Sequence, residues 1–284
     1  MATPAPERTR WACSSVPARR ARCSVAHCRT LQRYDRSVAL LIINGDDWGL
    51  KRDQTDAILA CYRARRVTSA SGMVYMADSA RAAALARDDD VPVGLHLNLA
   101  EVFDASDIDP DVQDRQRRLV GHLSRGVWHR WGFAPTLRAT VDLAIADQFA
   151  EFLRLYGRPP THVDGHEHLH TNLTVLLSRE LPAGMKMRPS FTFARGEKPW
   201  INRAMRASTN RIARRRHPGP TYFVSIRRVH PALGGSGFDA LDRFADGAVE
   251  VMTHPGWPDE FEALMSEEWR AALERRRLGS YRDL

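Results

Sequence analysis

Short apolar or β-branched runs alternate with longer helical patterns along most of the chain, from residue 37 to the C-terminus. This alternation is typical of strand–helix units arranged around a parallel sheet. The strand-like runs number seven, at residues 38–44, 67–76, 91–99, 161–165, 185–188, 221–226 and 248–254. Helical patterns fall between most of them, including residues 55–65, 79–87, 137–156 and 173–181. The pattern predicts one α/β domain.

Residues 101–135 break this alternation, because their polarity is mixed and follows no clear period. We therefore predict a long connection in this part of the chain. Long connections within compact domains usually serve a function, and we expect this one to cover a site at the ends of the strands.

Polar side chains with chemical capacity follow several of the predicted strands where each strand ends. The first strand ends in NGDDWG with Asp46 and Asp47, and the last ends in EVMTH with His254. In VPVGLHLNL the alternation places His96 and Asn98 on the face opposite the apolar side chains. The carboxyl ends of parallel strands face the active site in barrels and open α/β sheets, so we expect these side chains to lie close together.

The segment THVDGHEHLH carries a polar side chain at every second position: His162, Asp164, His166, His168 and His170. An extended backbone would direct all five to one side. Gly165 and the helical pattern after it predict a turn near residue 165. We therefore expect about two of the histidines to reach the common centre and the others to support the site or to contact substrate.

Each cluster also has a structural explanation, since an aspartate pair can cap a helix and a histidine can be a satisfied core residue. Four clusters of Asp and His at four strand ends favour convergence on a single metal site. One carboxylate and two imidazoles suit one divalent cation, with Mg²⁺ and Zn²⁺ favoured and Mn²⁺, Co²⁺ and Ni²⁺ also compatible. Such a site predicts hydrolysis of an amide or ester by a metal-activated water.

Sequence motifs for other chemistries are missing. The chain contains no Gly-x-Gly-x-x-Gly turn, no Walker A loop and no Gly-x-Ser-x-Gly elbow. It also contains no apolar run of eighteen residues and no apolar segment typical of a secretory signal near its start. We therefore expect a cytoplasmic protein without a transmembrane segment.

The formal charge of +8 is concentrated at the N-terminus, where residues 1–36 hold eight arginines against two acidic residues, Glu7 and Asp35. These residues are rich in Ala, Ser and Pro and have no clear period, which predicts a disordered basic extension. The domain is expected to comprise residues 37–284. Its small remaining charge, and the lack of interleaved aromatic and basic residues, argue against nucleic-acid binding.

Residues 37–284 resemble the YdjC family of carbohydrate deacetylases, whose members include chitooligosaccharide deacetylases and hopanoid-associated relatives. NGDDWGL resembles the first family motif, VGLHLNL its GLH motif and THVDGHEHLH its histidine-rich motif, and EVMTHPG and LGSYRDL also fit. Their order and spacing agree with the family pattern. The resemblance implies a TIM-barrel-like (β/α) barrel of seven or eight parallel strands.

The resemblance also implies specific roles for five residues. Asp47, His96 and His166 are expected to bind the metal. Asp46 is expected to act as general base and His254 as general acid. The implied reaction removes the acetyl group from an N-acetylated amino sugar or glycoconjugate.

Five further residues are expected to contact substrate or to support the site. Arg188 stands where the family often has an arginine near the site, and we expect it to orient the base or the substrate. His168, His170 and Asn98 are candidates for supporting or substrate contacts. Trp48 replaces the usual Phe of the family, and we expect it to reshape the floor of the pocket.

Two other functions remain open. The chain could be a metal-binding or sugar-binding member of the fold without turnover, although such a protein would need neither Asp46 nor His254. Alternatively, its substrate could be a lipid-linked or nucleotide-linked sugar, because residues 200–217 contain six arginines able to bind phosphate. A solvated helix face is the simpler explanation of these arginines. The sequence leaves open whether the protein forms a homodimer.

Overall fold

Within the part of the chain that the structure describes, seven parallel strands form the framework of the domain. The computed structural model describes residues 39–126, 129, 132–193, 196–244 and 246–284, so the predicted extension at residues 1–36 lies outside the described residues. The strands are β1 (Leu40–Trp48), β2 (Ser69–Gly72), β3 (Val93–Leu97), β4 (Val163–Gly165), β5 (Tyr222–Ser225), β6 (Val249–Thr253) and β7 (Arg277–Gly279). All described strand pairs are parallel. The predicted α/β class is therefore confirmed.

The sheet has the order β4-β3-β2-β1-β6-β5, and β7 pairs with the start of β1. An irregular segment, residues 185–192, lies between the two outer strands. On one side Met187 forms an isolated parallel bridge with Val163, and on the other the amide of Thr192 donates to the carbonyl of Phe223 at 2.9 Å. This segment joins β4 to β5, so the sheet curves into the barrel-like fold that the resemblance implied.

The strand predictions need two corrections, one for a run that is not a strand and one for a strand that was not predicted. The run at residues 185–188 is not a strand, because Pro189 follows it and has no amide hydrogen with which to continue a ladder. In addition, β7 lies in a polar stretch near the C-terminus that carries no alternating pattern.

The helices lie between the strands as α1 (Arg52–Arg63), α2 (Ser79–Asp88), α3 (Pro110–Leu123), α4 (Arg138–Tyr156), α5 (Leu173–Leu176), α6 (Trp200–Ala213), α7 (Pro258–Met265) and α8 (Glu267–Glu274). The prediction of an irregular connection over residues 101–135 is wrong where α3 forms. The Asp109 side chain accepts from the Asp111 amide at 2.8 Å, and Pro110 occupies the first turn. These are standard signals for a helix start.

The side chains of β1 divide between the two faces of the sheet. Leu41 and Ile43 pack outward in a cluster that also contains residues of α1, α7 and α8, whereas Leu40 and Ile42 cluster with Tyr281. Asn44 and Asp46 continue the second row, so the barrel interior changes from apolar to polar toward the end of the strand. Each fully buried aliphatic side chain contributes roughly 1.5–3 kcal/mol, and this apolar base supports the polar site.

Among the described residues, every helix is too short or too polar to cross a lipid bilayer.

Candidate active site

Asp46 and Asp47 are neighbours in the chain, but their side chains belong to two different clusters. The register of β1 against β2 shifts between Gly45 and Trp48, and Asp47 has a left-handed φ of 71°. Such a conformation costs on the order of 1 kcal/mol for a residue other than glycine. Strict alternation would turn Asp47 to the outer face of the sheet, opposite to Asp46. Because the irregularity interrupts that alternation, Asp47 instead faces two histidines, while Asp46 faces Arg188.

The first cluster joins Asp47 to His96 and His166. Asp47 Oδ1 lies 3.0 Å from His166 Nδ1 and 3.4 Å from His96 Nε2. One donor atom from each residue lies within 4.8 Å of the others. The three residues come from the ends of β1 and β3 and from the turn after β4, so strands that are distant in sequence bring the predicted ligands together.

Each of these histidines also has a carboxylate at its other ring nitrogen. His96 Nδ1 lies 2.8 Å from Asp164 Oδ1, and His166 Nε2 lies 3.3 Å from Glu101 Oε1. Burial would lower the pKa of His96, but the charge of Asp164 and its hydrogen bond raise that pKa to about 10. Both imidazoles are therefore held from two sides, with one nitrogen directed at Asp47.

The second cluster is built around Arg188, which is 1% exposed. Its guanidinium donates to both oxygens of Asp46, at 2.7 and 2.6 Å, and lies 2.7 Å from Asp164 Oδ2. Its Nε donates to Glu250 at 2.9 Å, and Phe223 lies against its face at 4.8 Å. One buried positive charge is thus shared by three carboxylates, which fixes their positions in the barrel interior.

The two aspartates after β1 are both held in the ionised state. Burial opposes ionisation of Asp46, but the charge of Arg188 and its hydrogen bonds outweigh that effect and hold the pKa of this carboxyl below its ordinary value. Burial also opposes ionisation of Asp47, yet hydrogen bonds from His166 and His96 lower its pKa far below the usual range. Both side chains are carboxylates at neutral pH.

A second set of three side chains could in principle hold a metal: Asp46, His96 and Asp164. The guanidinium of Arg188 already lies 2.6 and 2.7 Å from oxygens of its two aspartates. A cation there would be placed against a buried positive charge, which is costly at short range. Among the described residues, the set around Asp47 is therefore the better cation site.

His254 follows β6 directly, and the pairing of Gly45 with Thr253 places it at the same level of the sheet as Asp46. Its ring stacks on Trp257 with centroids 4.3 Å apart and an interplanar angle of 10°. Its backbone amide donates to Glu260 at 2.6 Å, and its side chain is 17% exposed. The imidazole is thus held at the carboxyl end of β6 with access to solvent.

Three comparisons with known proteins bear on this site. A profile of the YdjC-like protein family matches residues 40–275, which is most of the chain. The chain belongs to the YdjC-like family.

The curated relatives of this YdjC-like chain include proteins named chitooligosaccharide deacetylase. The one from Yersinia enterocolitica is 27% identical over 265 residues, 86% of this chain and 98% of that protein. The one from Serratia marcescens is 33% identical over 132 residues, 46% of this chain. In that alignment the chain spans 50% of the length of the Serratia protein.

A solved structure has a similar fold. A crystal structure from Enterococcus faecalis V583, presented as a candidate cellobiose-phosphate cleavage protein, superposes with a TM-score of 0.63. The superposition covers 87% of this chain and 98% of the other at 17% sequence identity. At that identity the similarity concerns the fold alone.

The donor set of this YdjC-like protein fits a divalent cation. Asp47 supplies an ionised oxygen, and His96 and His166 supply nitrogens that converge on it, which is a ligand chemistry shared by Zn²⁺ and other borderline divalent ions. The carboxylates behind the two imidazoles are the partners that metal-bound histidines usually have. These side chains therefore fit the divalent cation that the family resemblance implies.

His168 and His170 lie outside the cluster of Asp47, His96 and His166. The turn predicted near residue 165 is confirmed as a 3₁₀ segment, His166–Thr171, in which His168 has a left-handed φ of 60°. The His168 ring lies edge-on to Phe191 at 4.7 Å, and burial lowers its pKa to about 3. His170 is fully buried with Nε2 3.1 Å from the Arg188 carbonyl, and burial lowers its pKa to about 4.

Asn98 and Trp48, which were expected to contact substrate or to support the site, are both fully buried. The Asn98 side chain binds backbone groups of the turn that carries Glu101. Trp48 packs in the core cluster with Tyr156, which places it beneath the site and not on an exposed pocket floor. Both side chains therefore support the site from behind.

Four residues of the site were not assigned from the sequence: Glu101, Asp164, Glu250 and Tyr281. Asp164 belonged to the alternating set, whereas Glu101 was hidden at the start of the long connection. Burial raises the pKa of Glu250 to about 7 against the charge of Arg188, and its Oε2 accepts from Tyr281 at 2.5 Å. A glutamate within the apolar run AVEVMTH was the signal for Glu250, because a buried acid requires partners.

Proposed function

We propose that this protein is a divalent-metal-dependent deacetylase that hydrolyses the acetamide of an N-acetylated amino sugar or glycoconjugate. The observation that carries the proposal is the convergence of Asp47, His96 and His166 beside an ionised Asp46. The curated relatives named chitooligosaccharide deacetylase support the class of substrate.

In this proposal Asp47, His96 and His166 hold the cation. When bound, the cation supplies Lewis acidity, which favours ionisation of water and polarises a carbonyl oxygen. The carboxylates Asp164 and Glu101 keep the two imidazoles oriented. The protein's part is thus to fix one oxygen and two nitrogens before substrate arrives.

Asp46 is the proposed general base. Its carboxylate accepts from Arg188 through both oxygens and from Asn44 Nδ2 at 2.8 Å, so it stays ionised and oriented. It takes a proton from the water that attacks the acetyl carbon. General base catalysis of this kind typically contributes about 10²–10⁴-fold in rate.

His254 is the proposed general acid. In the reaction a bond forms between the water oxygen and the acetyl carbon, and the bond from that carbon to the sugar nitrogen breaks. His254 gives a proton to the departing nitrogen, so the products are acetate and a free amine. Its stacking on Trp257 and its partial exposure suit a side chain that must meet a substrate.

The decisive experiment measures acetate release from N-acetylglucosamine oligosaccharides by metal-reconstituted wild type beside Asp46→Asn. The proposal requires acetate from the wild type and a loss of at least about 100-fold in the variant, with the metal content of both proteins equal. A wild type that binds metal and sugar without releasing acetate would instead indicate the non-catalytic binding protein.

A lipid-linked glycoconjugate is the second candidate substrate, and the exposed face of α6 favours it. Trp200, Ile201 and Met205 are 74%, 55% and 46% exposed. Arg211 on the same helix and Arg215 in the turn after it are also exposed. Apolar side chains beside arginines suit an anionic membrane surface.

The nucleotide-linked alternative receives less support from the same region. Arg214 donates to backbone carbonyls of Pro220 and Thr221, and Arg216 donates to those of Ser178 and Leu181. These contacts give both arginines a structural role.

Vesicle sedimentation distinguishes the lipid-linked candidate from soluble substrates. Wild type and a Trp200→Ala, Ile201→Ala double variant are mixed with vesicles of phosphatidylcholine alone or with phosphatidylserine. The lipid-linked candidate predicts that wild type sediments with the anionic vesicles and the variant does not. Equal sedimentation of both proteins would dismiss it.

A further inference from the structure

The side chain of Glu101 is partly exposed, whereas its backbone is held by buried groups. The side chain is 47% exposed, as is common for a surface glutamate, yet its Oε1 lies 3.3 Å from His166 Nε2. Its backbone, by contrast, is tied to the protein interior. An acidic residue that served only solubility would need no such attachment.

Three buried amide side chains fix the backbone at Glu101. Asn98 Oδ1 accepts from the amides of Ala100 and Glu101 at 3.1 and 2.9 Å, and its Nδ2 donates to the Glu101 carbonyl at 3.1 Å. Gln116 donates to the same carbonyl at 2.6 Å. Gln148 in turn binds the Asn98 backbone at both its amide and its carbonyl, at 2.8 and 2.9 Å.

These amides are almost fully excluded from water: Asn98 and Gln148 are 0% exposed and Gln116 is 1% exposed. Buried amides carry a cost unless their hydrogen bonds are made. Asn98 and Gln148 each use both the oxygen and the nitrogen of the side chain, so another backbone arrangement would break several buried hydrogen bonds. The network therefore holds Glu101 at one position relative to β3, the strand that also carries His96.

The relation of Glu101 to His166 repeats that of Asp164 to His96. In both pairs a carboxylate oxygen faces the imidazole nitrogen that points away from Asp47. A carboxylate in that position accepts the ring N–H, fixes the tautomer and leaves the opposite nitrogen free as a metal ligand. The buried partner is Asp164, and the exposed partner is Glu101.

We propose that Glu101 is a positioning residue of the metal site, which accepts a hydrogen bond from His166 Nε2 and keeps Nδ1 directed at Asp47. This inference rests on the proposed metal-dependent function. Without Glu101, the His166 ring is free to rotate or to change tautomer, and Nδ1 is no longer reserved for the cation. The residue acts through His166 and makes no bond to the cation itself.

Metal affinity tests this role directly. Apo protein prepared with a chelator is titrated with Zn²⁺, and binding of Co²⁺ is followed by its visible absorption. Glu101→Ala should bind Zn²⁺ about 10–100-fold more weakly than wild type. Glu101→Gln keeps an oxygen that can accept from Nε2 and should recover most of that loss. Glu262→Ala, at another exposed glutamate, is the matched control and should bind as wild type.

The outcomes separate this inference from the function on which it rests. If wild type and Glu101→Ala bind Zn²⁺ equally, with the same Co²⁺ spectrum, the positioning role is overturned and the metal site stands. If wild type itself binds neither ion, the proposed function fails and the inference fails with it. Weaker binding by Glu101→Ala, with recovery in Glu101→Gln and an unchanged unfolding midpoint of the apo proteins, supports the positioning role.

Discussion

The guanidinium of Arg188 donates to both carboxylate oxygens of Asp46, with Nη1 and Nη2 at 2.7 and 2.6 Å. The two residues are 142 positions apart in the sequence. Their pairing joins the irregular segment between β4 and β5 to the central strand of the sheet. Arg188 thereby keeps the proposed base ionised and links the segment between β4 and β5 to β1.

Replacing Arg188 with Met should destabilise the protein, because three buried carboxylates lose their common partner. Removing one member of a buried ion pair typically costs about 3–5 kcal/mol. Urea unfolding of the metal-free protein measures the loss. Arg203→Met, on α6, is the control and should stay within about 0.5 kcal/mol of wild type. Equal stability of the two variants would contradict the role given to Arg188.

Glu250 should make stability depend on pH. Burial raises its pKa from 4.5 to about 7, so between these values the native state keeps a proton that the unfolded chain has lost. The free energy of unfolding therefore falls as pH rises through this window. Glu250→Gln has no group that titrates at this position. From pH 4 to pH 8, its free energy of unfolding minus that of wild type should therefore rise by on the order of 3 kcal/mol.

Urea unfolding of the metal-free proteins across that pH range measures the effect. Glu262→Gln, at an exposed position, should keep a constant difference from wild type. If the difference between Glu250→Gln and wild type is also constant, Glu250 does not titrate in this window.

His166 and His168 should differ in their effect on metal binding. His166→Ala removes a proposed ligand and should weaken Zn²⁺ binding by more than about 100-fold. This is a larger loss than that expected for Glu101→Ala, because Glu101 acts on the cation only through His166. His168→Ala removes a ring that packs against Phe191 and should keep the affinity of wild type. Calorimetric titration of both apo variants measures this. Loss of binding in His168→Ala alone would reverse the assignment.

His254→Gln should lower kcat for acetate release by about 10²–10⁴-fold, because the departing nitrogen loses its proton donor. Metal content should not change, since His254 is not among the residues that converge on Asp47. His122→Gln on α3 is the matched control and should keep full activity. A variant at His254 with normal kcat would require another proton donor.

Much of the site could be predicted from the sequence because parallel strands bring their carboxyl ends to one edge of a sheet. That rule, with the family motifs, was enough to group Asp47, His96 and His166, which the structure brings within 4.8 Å. Their chemical roles stay predictions until the variants are measured.

The division of Asp46 and Asp47 between two clusters at the same end of the sheet could not be predicted, because strict alternation would turn Asp47 to the outer face and cannot show where the backbone takes a positive φ. Glu101 was missed because its position depends on Asn98, Gln116 and Gln148, and such networks appear only in three dimensions. Helix α3 was overlooked for a different reason, since Asp109 and Pro110 were visible as start signals but the apolar period that follows them is weak.

Along the irregular segment at residues 185–192, the wall of the barrel has no continuous ladder of hydrogen bonds. The proposed cation ligands lie at the ends of β1 and β3 and in the turn after β4, whereas the arginine that keeps Asp46 charged lies within this irregular segment. Local opening of a protein begins where such ladders are weakest. We therefore expect that, on warming, Asp46 loses its contact with Arg188 while the cation is still bound. The protein should then lose activity before it loses its metal.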